Sequence, residues 1–178
     1  MRRKLYCFLV FILLFSVQGF GQTWSANLVT GKLSVGLAKY LKMDIYNDTI
    51  YIAFADGGNG DKATVMKYTG SGWVHVGLPG FTEGEATALQ FRVSGGIPWV
   101  AYSDGAHGDR VSVMRYNGSG WVYVGSPGFS KYMVSSVALA VEENTAWVAY
   151  SDAEFSDKAT VVKESGGGWT TVGAPWFT

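Results

Sequence analysis

The segment DGGNGDKATVMKYTGSGWVHVGLPGF, Asp56 to Phe81, returns forty-eight residues later as DGAHGDRVSVMRYNGSGWVYVGSPGF, Asp104 to Phe129. It returns after forty-eight more as DAEFSDKATVVKESGGGWTTVGAPWF, Asp152 to Phe177, with no insertion or deletion. The kept positions in the first copy are Asp56, Asp61, Val65, Lys67, Gly72, Trp73, Val76, Gly77, Pro79 and Phe81. In the second copy they are Asp104, Asp109, Val113, Arg115, Gly120, Trp121, Val124, Gly125, Pro127 and Phe129. In the third they are Asp152, Asp157, Val161, Lys163, Gly168, Trp169, Val172, Gly173, Pro175 and Phe177. Such a period marks a repeated supersecondary unit and suits the four-stranded blade of a β-propeller.

Short runs rich in β-branched and aromatic residues, separated by Gly, Asn, Asp and Pro, read as strands. The first copy gives Met43 to Tyr46, Ile50 to Ala55, Ala63 to Tyr68 and Trp73 to Val76. The second gives Ala88 to Val93, Trp99 to Tyr102, Val111 to Tyr116 and Trp121 to Val124. The third gives Val137 to Val141, Trp147 to Tyr150, Ala159 to Lys163 and Trp169 to Val172. No segment has helical period, so the class is all-β. The blades fall at about residues 39–82, 83–130 and 131–178.

Four-residue connections, Thr69 to Gly72, Asn117 to Gly120 and Ser165 to Gly168, supply the glycine that a tight hairpin needs. That register sets Tyr68 opposite Trp73 and Tyr116 opposite Trp121, whereas Glu164 faces Trp169. An aromatic cross-strand pair contributes roughly 0.2–1 kcal/mol, so the third blade is expected to be the weakest, or Glu164 to lie at an exposed edge. Trp73, Trp121 and Trp169 recur at one strand position and read as packing between blades. Asp56 and Asp61 enclose a loop faintly like a calcium site. The intervening oxygens vanish in the later copies while Asp104, Asp109, Asp152 and Asp157 stay, which favours Asx-type capping over a metal.

Before the repeats, Met1 to Gln22 reads as a secretory signal. Arg2, Arg3 and Lys4 precede an apolar run from Leu5 to Val17, and Gly19-Phe20-Gly21 is a small-x-small cleavage site, so residues 1–21 are expected to be removed. The run is too short for a membrane span. The one cysteine, Cys7, lies within it, which leaves residues 22–178 without a disulfide. Loss of the three leading basic residues leaves 11 basic against 14 acidic side chains, a net charge of about −3. No basic patch points to nucleic acid, and no motif to a cofactor.

Trp24 to Val29 is one further strand, placed like the fourth strand of a blade whose other three are missing. Closed propellers have typically four to eight blades, and three are found here. The expectation is an incomplete propeller: either a truncated product, or a homo-oligomer in which two chains supply six blades. Three blades alone leave apolar end faces uncovered.

The run Val100 to Asp104, followed by Val111 to Ser130, resembles the tandem propeller repeats of secreted bacterial surface proteins, with their pattern A-Y-x-D … A-T-V-M-K-[FY]-N-G-x-x-W-x-x-V-G. The resemblance extends from Trp24 to the end. It implies a propeller, export and an interaction role, with no shared catalytic motif.

Three functions are compatible with a propeller of this kind. A scaffold or interaction module of a cell surface explains a kept framework with drifting loops. A carbohydrate-binding propeller would use the loops in which the copies differ: Asn59, His107, Glu154 and Phe155 between second and third strands, and Glu83, Glu85, Lys131 and Tyr132 between blades. The third, a sialidase or glycosidase, lacks a motif. Arg92, Arg110 and Arg115 form no evident carboxylate clamp, His75 and His107 are isolated, and Glu83 and Glu85 define no separation. The sequence therefore reads as a non-catalytic propeller whose partner is a protein or glycan surface.

Overall fold

The computed structural model describes residues 33–153 and 156–173. The expected signal, the strand at Trp24 to Val29, Glu154, Phe155 and the segment from 174 onward lie outside the described residues. Twelve strands are found among them, in three four-stranded antiparallel sheets that each keep chain order. The first sheet contains β1 (Ala38–Tyr46), β2 (Thr49–Asp56), β3 (Lys62–Tyr68) and β4 (Trp73–His75). The second contains β5 (Ala86–Ser94), β6 (Ile97–Asp104), β7 (Arg110–Tyr116) and β8 (Trp121–Tyr123). The third contains β9 (Val137–Glu142), β10 (Thr145–Asp152), β11 (Lys158–Ser165) and β12 (Gly168–Thr171). β1 lies beside β5 and β5 beside β9, so the sheets stack as successive blades of an unclosed propeller.

The first strands of two blades begin earlier than alternation suggests. The register slips between Lys39 and Lys42 and again between Thr87 and Gln90, where Tyr40 (φ 52°) and Ala88 (φ 47°) take left-handed backbone. A bulge of this kind shifts the side-chain alternation by one residue, which hides the N-terminal part of the strand from a period-two reading. The hairpin β1–β2 turns at Asn47-Asp48, β5–β6 at Gly95-Gly96 and β9–β10 at Glu143-Asn144, with positive φ at both residues each time. That is the type I′ pattern, whose twist matches the strands it joins. In the β3–β4 and β7–β8 hairpins only the first central residue, Gly70 or Gly118, is left-handed, as in a type II′ turn. The third copy differs: Gly166 and Gly167 are both left-handed. Tyr68 pairs with Trp73 and Tyr116 with Trp121, their rings 5.6 and 5.8 Å apart. Glu164 does face Trp169, and its carboxylate accepts from Gly167 N at 3.2 Å at the exposed hairpin.

Each sheet is apolar on both faces, so its neighbours must cover it. Ala53, Val65 and Val76 of the first blade meet Leu89, Phe91, Val100 and Met114 of the second in one core. Trp99, Val113 and Val124 of the second meet Leu139, Val148 and Val162 of the third in another. A ring stack locks each junction. Trp121 lies on Phe81 at 4.1 Å with planes 4° apart and donates its indole N–H to Val76 O at 2.8 Å. Trp169 lies on Phe129 at 4.3 Å. Gly77 clears the space, since a Cβ there would stand 2.9 Å from the Trp121 ring.

The first blade has no neighbour on its outer face among the described residues. Leu41 and Met43 occupy the repeat positions of Leu89 and Phe91, yet they are exposed while their counterparts are fully buried. This pair of positions separates burial from side-chain type. Phe91→Ala is expected to cost about 3–5 kcal/mol. Met43→Ala, at 64 % exposure, should stay within roughly 0.5 kcal/mol. Urea unfolding of both variants checks this, and equal losses would mean that the first blade's outer face is covered in solution.

Candidate functional site

The blade array has two ends, and those sequence candidates that are among the described residues lie at the one formed by the β2–β3 and between-blade loops. Aspartates build its frame. Asp56 caps a short 3-10 turn, Gly57–Asn59, by accepting from Gly58 N at 3.0 Å, and Asp104 caps Gly105–His107 by accepting from Ala106 N at 3.1 Å. Asp56 also accepts from Gly36 N at 3.0 Å and from the amide of Asn59 at 3.0 Å. Burial would raise the Asp56 pKa, but these donors, with Val35 N, outweigh it and hold the carboxyl below its usual range. Asp61, Asp109 and Asp157 follow with left-handed backbone, which Asp tolerates better than bulkier residues. Asp61 additionally binds Lys39 Nζ at 2.8 Å. The between-blade loops are pinned as well: Thr82 Oγ1 accepts from Ala63 N, and Ser130 Oγ from Val111 N, both at 3.0 Å.

Two of the sequence candidates meet. His107 donates through Nδ1 to Asp104 Oδ2 at 2.9 Å, and its ring stands edge-on to Tyr123 at 6.1 Å. Glu83 adjoins the Tyr123 hydroxyl, which burial, with the nearby carboxylates of Asp104 and Glu83, pushes above its ordinary pKa. Tyr102, deeper in the same junction, is pushed further up, chiefly by burial. Ser112 Oγ donates to Asp104 at 2.7 Å. Tyr102 and Tyr123 escaped the sequence reading because they lie on strands, and their counterparts Phe54 and His75 conceal the pattern. The remaining candidates stay apart. Asn59 is engaged by Asp56, Glu85 is exposed with its carbonyl accepting from Gly105 N at 2.9 Å, and Lys131 lies 5.3 Å over the ring of Tyr132. Much of this end is committed to its own hydrogen bonds, although the Tyr123 hydroxyl and Asp61 Oδ1 are buried without one.

The opposite end holds open space. A groove of about 830 Å³ runs between Tyr51 and Lys67 of the first blade, the β5–β6 and β7–β8 hairpins of the second, and the Glu143-Asn144 turn of the third. Its polar lining includes Arg115, Asn117 and Asn144, and Tyr116 adds a ring. Arg115 reaches Asn144 Oδ1 at 3.4 Å and lies over the Trp99 ring, 5.4 Å from its centre. The repeated Lys/Arg position was the available signal. Spacing within one copy does not connect that position with the residues of the two other blades that line the groove.

Comparison with solved structures sets this arrangement among known folds. A fucose lectin from Kordia zhangzhouensis, solved with methyl-fucoside, superposes with TM-score 0.51 at 9 % identity, over 75 % of this chain and 97 % of the lectin chain. A protein of Parabacteroides distasonis described as a candidate glycoside hydrolase gives 0.50 at 11 % identity, over 78 % of this chain and 51 % of that one. A glycosyl hydrolase from Bacteroides ovatus gives 0.49 at 12 % identity, over 77 % and 49 %. The chain spans about half the length of these two hydrolases. No protein-family model matches the chain, and no curated protein does. At these identities the likeness is one of fold: the protein is an all-β array of propeller blades.

The same comparison corrects the expectation of a non-catalytic protein. The fold is shared with a candidate glycoside hydrolase, so the absence of a linear motif does not exclude catalysis. Acid and base carboxyls are defined by their separation in space, and in a blade array they can come from different repeats, where sequence spacing says nothing about them.

The Asp56 environment predicts an acid limb. Its pKa is lower folded than unfolded, so its stabilising contribution is present above about pH 4 and is lost as pH falls through the folded value. Asp56→Asn should flatten the fall in stability between about pH 5 and 2. Thermal unfolding across that range measures it, and an unchanged slope would remove Asp56 from the account.

Proposed function

We propose that this chain is an exported surface propeller module that engages carbohydrate through the groove at its hairpin end. The observation that carries the reading is that groove: a concave site joining three blades, with tyrosine rings beside planar amide and guanidinium groups. Sugars offer apolar C–H faces for rings and hydroxyls for such planar groups. Export is supported by the basic, then apolar, sequence of Met1 to Gln22. The fold neighbours, a fucose lectin and a candidate glycoside hydrolase, support a carbohydrate role by analogy of scaffold.

A glycan array, followed by titration calorimetry and an assay for released sugar on any hit, tests the proposal. Asn144→Gly keeps the left-handed turn backbone and removes the amide. Losing one hydrogen bond of about 1 kcal/mol should weaken binding roughly five-fold. Glu85→Gln, at the other end, should bind as the parent does. Silence across the array, or equal effects of both changes, would refute the groove as a sugar site and favour a protein-binding scaffold.

A further inference from the structure

We propose that the groove selects sugars bearing negative charge, an inference that rests on the carbohydrate reading. Three cross-strand pairs set an aromatic residue directly opposite a base: Tyr51 with Lys67, Trp99 with Arg115 and Trp147 with Lys163. The Arg115 guanidinium lies 5.4 Å from the centre of Trp99, and Lys163 Nζ 5.0 Å from that of Trp147. A cation over a ring is held in place without being neutralised. The ion pairs found among the described residues are Lys39–Asp61 and His107–Asp104, and neither uses these three bases.

Placement turns this packing device into a site. Lys67 and Arg115 both line the one groove, and Glu143 is the single carboxylate among its lining residues. A second hollow of about 480 Å³ shares Tyr51 and Lys67 and continues over the first blade past Asp48. The concavity thus spans adjacent repeats with a base from each. The chain as a whole has no excess positive charge, so these cations are not a by-product of a basic protein. In a concave site they would focus a positive field on the occupant. Guanidinium pairs with a carboxylate or sulfate through two parallel N–H donors, and lysine adds a point charge one repeat away. The ligand chemistry is therefore an anionic glycan, carrying either uronate or sulfate groups.

Titration calorimetry with oligogalacturonate, sulfated dextran and unmodified dextran tests this at low and high salt. Tighter binding of either anionic probe than of unmodified dextran, weakened at least ten-fold by high salt, is expected. The uronate and sulfate arms tell which group is preferred. Lys67→Gln with Arg115→Gln should abolish the anionic preference, with circular dichroism verifying the fold. Arg115→Lys, which keeps the charge, should retain it. Equal binding of neutral and anionic probes would overturn the inference and leave the carbohydrate reading standing. Loss of the preference in Arg115→Lys as complete as in the double variant would overturn it too, as a packing effect. Failure of every probe, anionic and neutral, would refute both readings.

Discussion

An apolar face that another blade must cover is the constraint on which this structure depends. Phe91 is fully buried because Val65 and Val76 stand across from its sheet, and Trp121 closes the edge of the same junction on Phe81. The two contacts differ in kind. The sheet faces supply area, which is large and undirected. The stacked rings and the indole N–H to Val76 O supply orientation, because they tolerate one angle between the blades. The glycine at 77, and its counterpart at 125, follow from this demand: the ring of the next blade lies where a side chain would stand.

The repeat framework was legible because its determinants are local or strictly periodic. Twelve strands, the Tyr68–Trp73 and Tyr116–Trp121 pairs and the glycine hairpins follow from composition and spacing within one copy. The bulges were hidden, since Tyr40 and Ala88 adopt left-handed backbone with residues that give no hint of it. The grouping of Glu83, His107 and Tyr123 was hidden for another reason. It forms across a junction between blades, and the distance along the chain from Glu83 to Tyr123 bears no relation to their separation in space. The expectation of a non-catalytic protein was overturned by the shared fold of a candidate glycoside hydrolase, since a linear pattern does not report on groups that different repeats bring together in space.

The two ends of the array illustrate how buried carboxylates and open grooves divide a scaffold. At the loop end Asp56 and Asp104 are almost wholly removed from solvent, and each is surrounded by donors from the following turn, with the Ser112 hydroxyl of β7 added at Asp104. Charged groups stay buried only when so supplied, and those donors are then committed. Variation among Asn59 and His107 there changes which side chain satisfies the aspartate, not whether it is satisfied. Sequence divergence at that end is thus compatible with one structural task performed by different residues.

At the hairpin end the logic reverses. The bases at 67, 115 and 163 are kept from copy to copy, which in a repeat protein ordinarily argues for packing, and each is indeed placed opposite an aromatic residue. Packing alone, however, would be served by the alkyl stem or the ring beneath it. It does not require that the charged heads of Lys67 and Arg115 stand without a carboxylate partner among the described residues while both line a hollow shared by consecutive blades. A feature repeated along a scaffold is also what a repeating ligand demands, since a polymer offers the same group at regular intervals and each blade meets the next unit with the same tool. Invariance between the copies is therefore as good a guide to binding as divergence, provided that the kept residue faces open space and keeps its charge unspent.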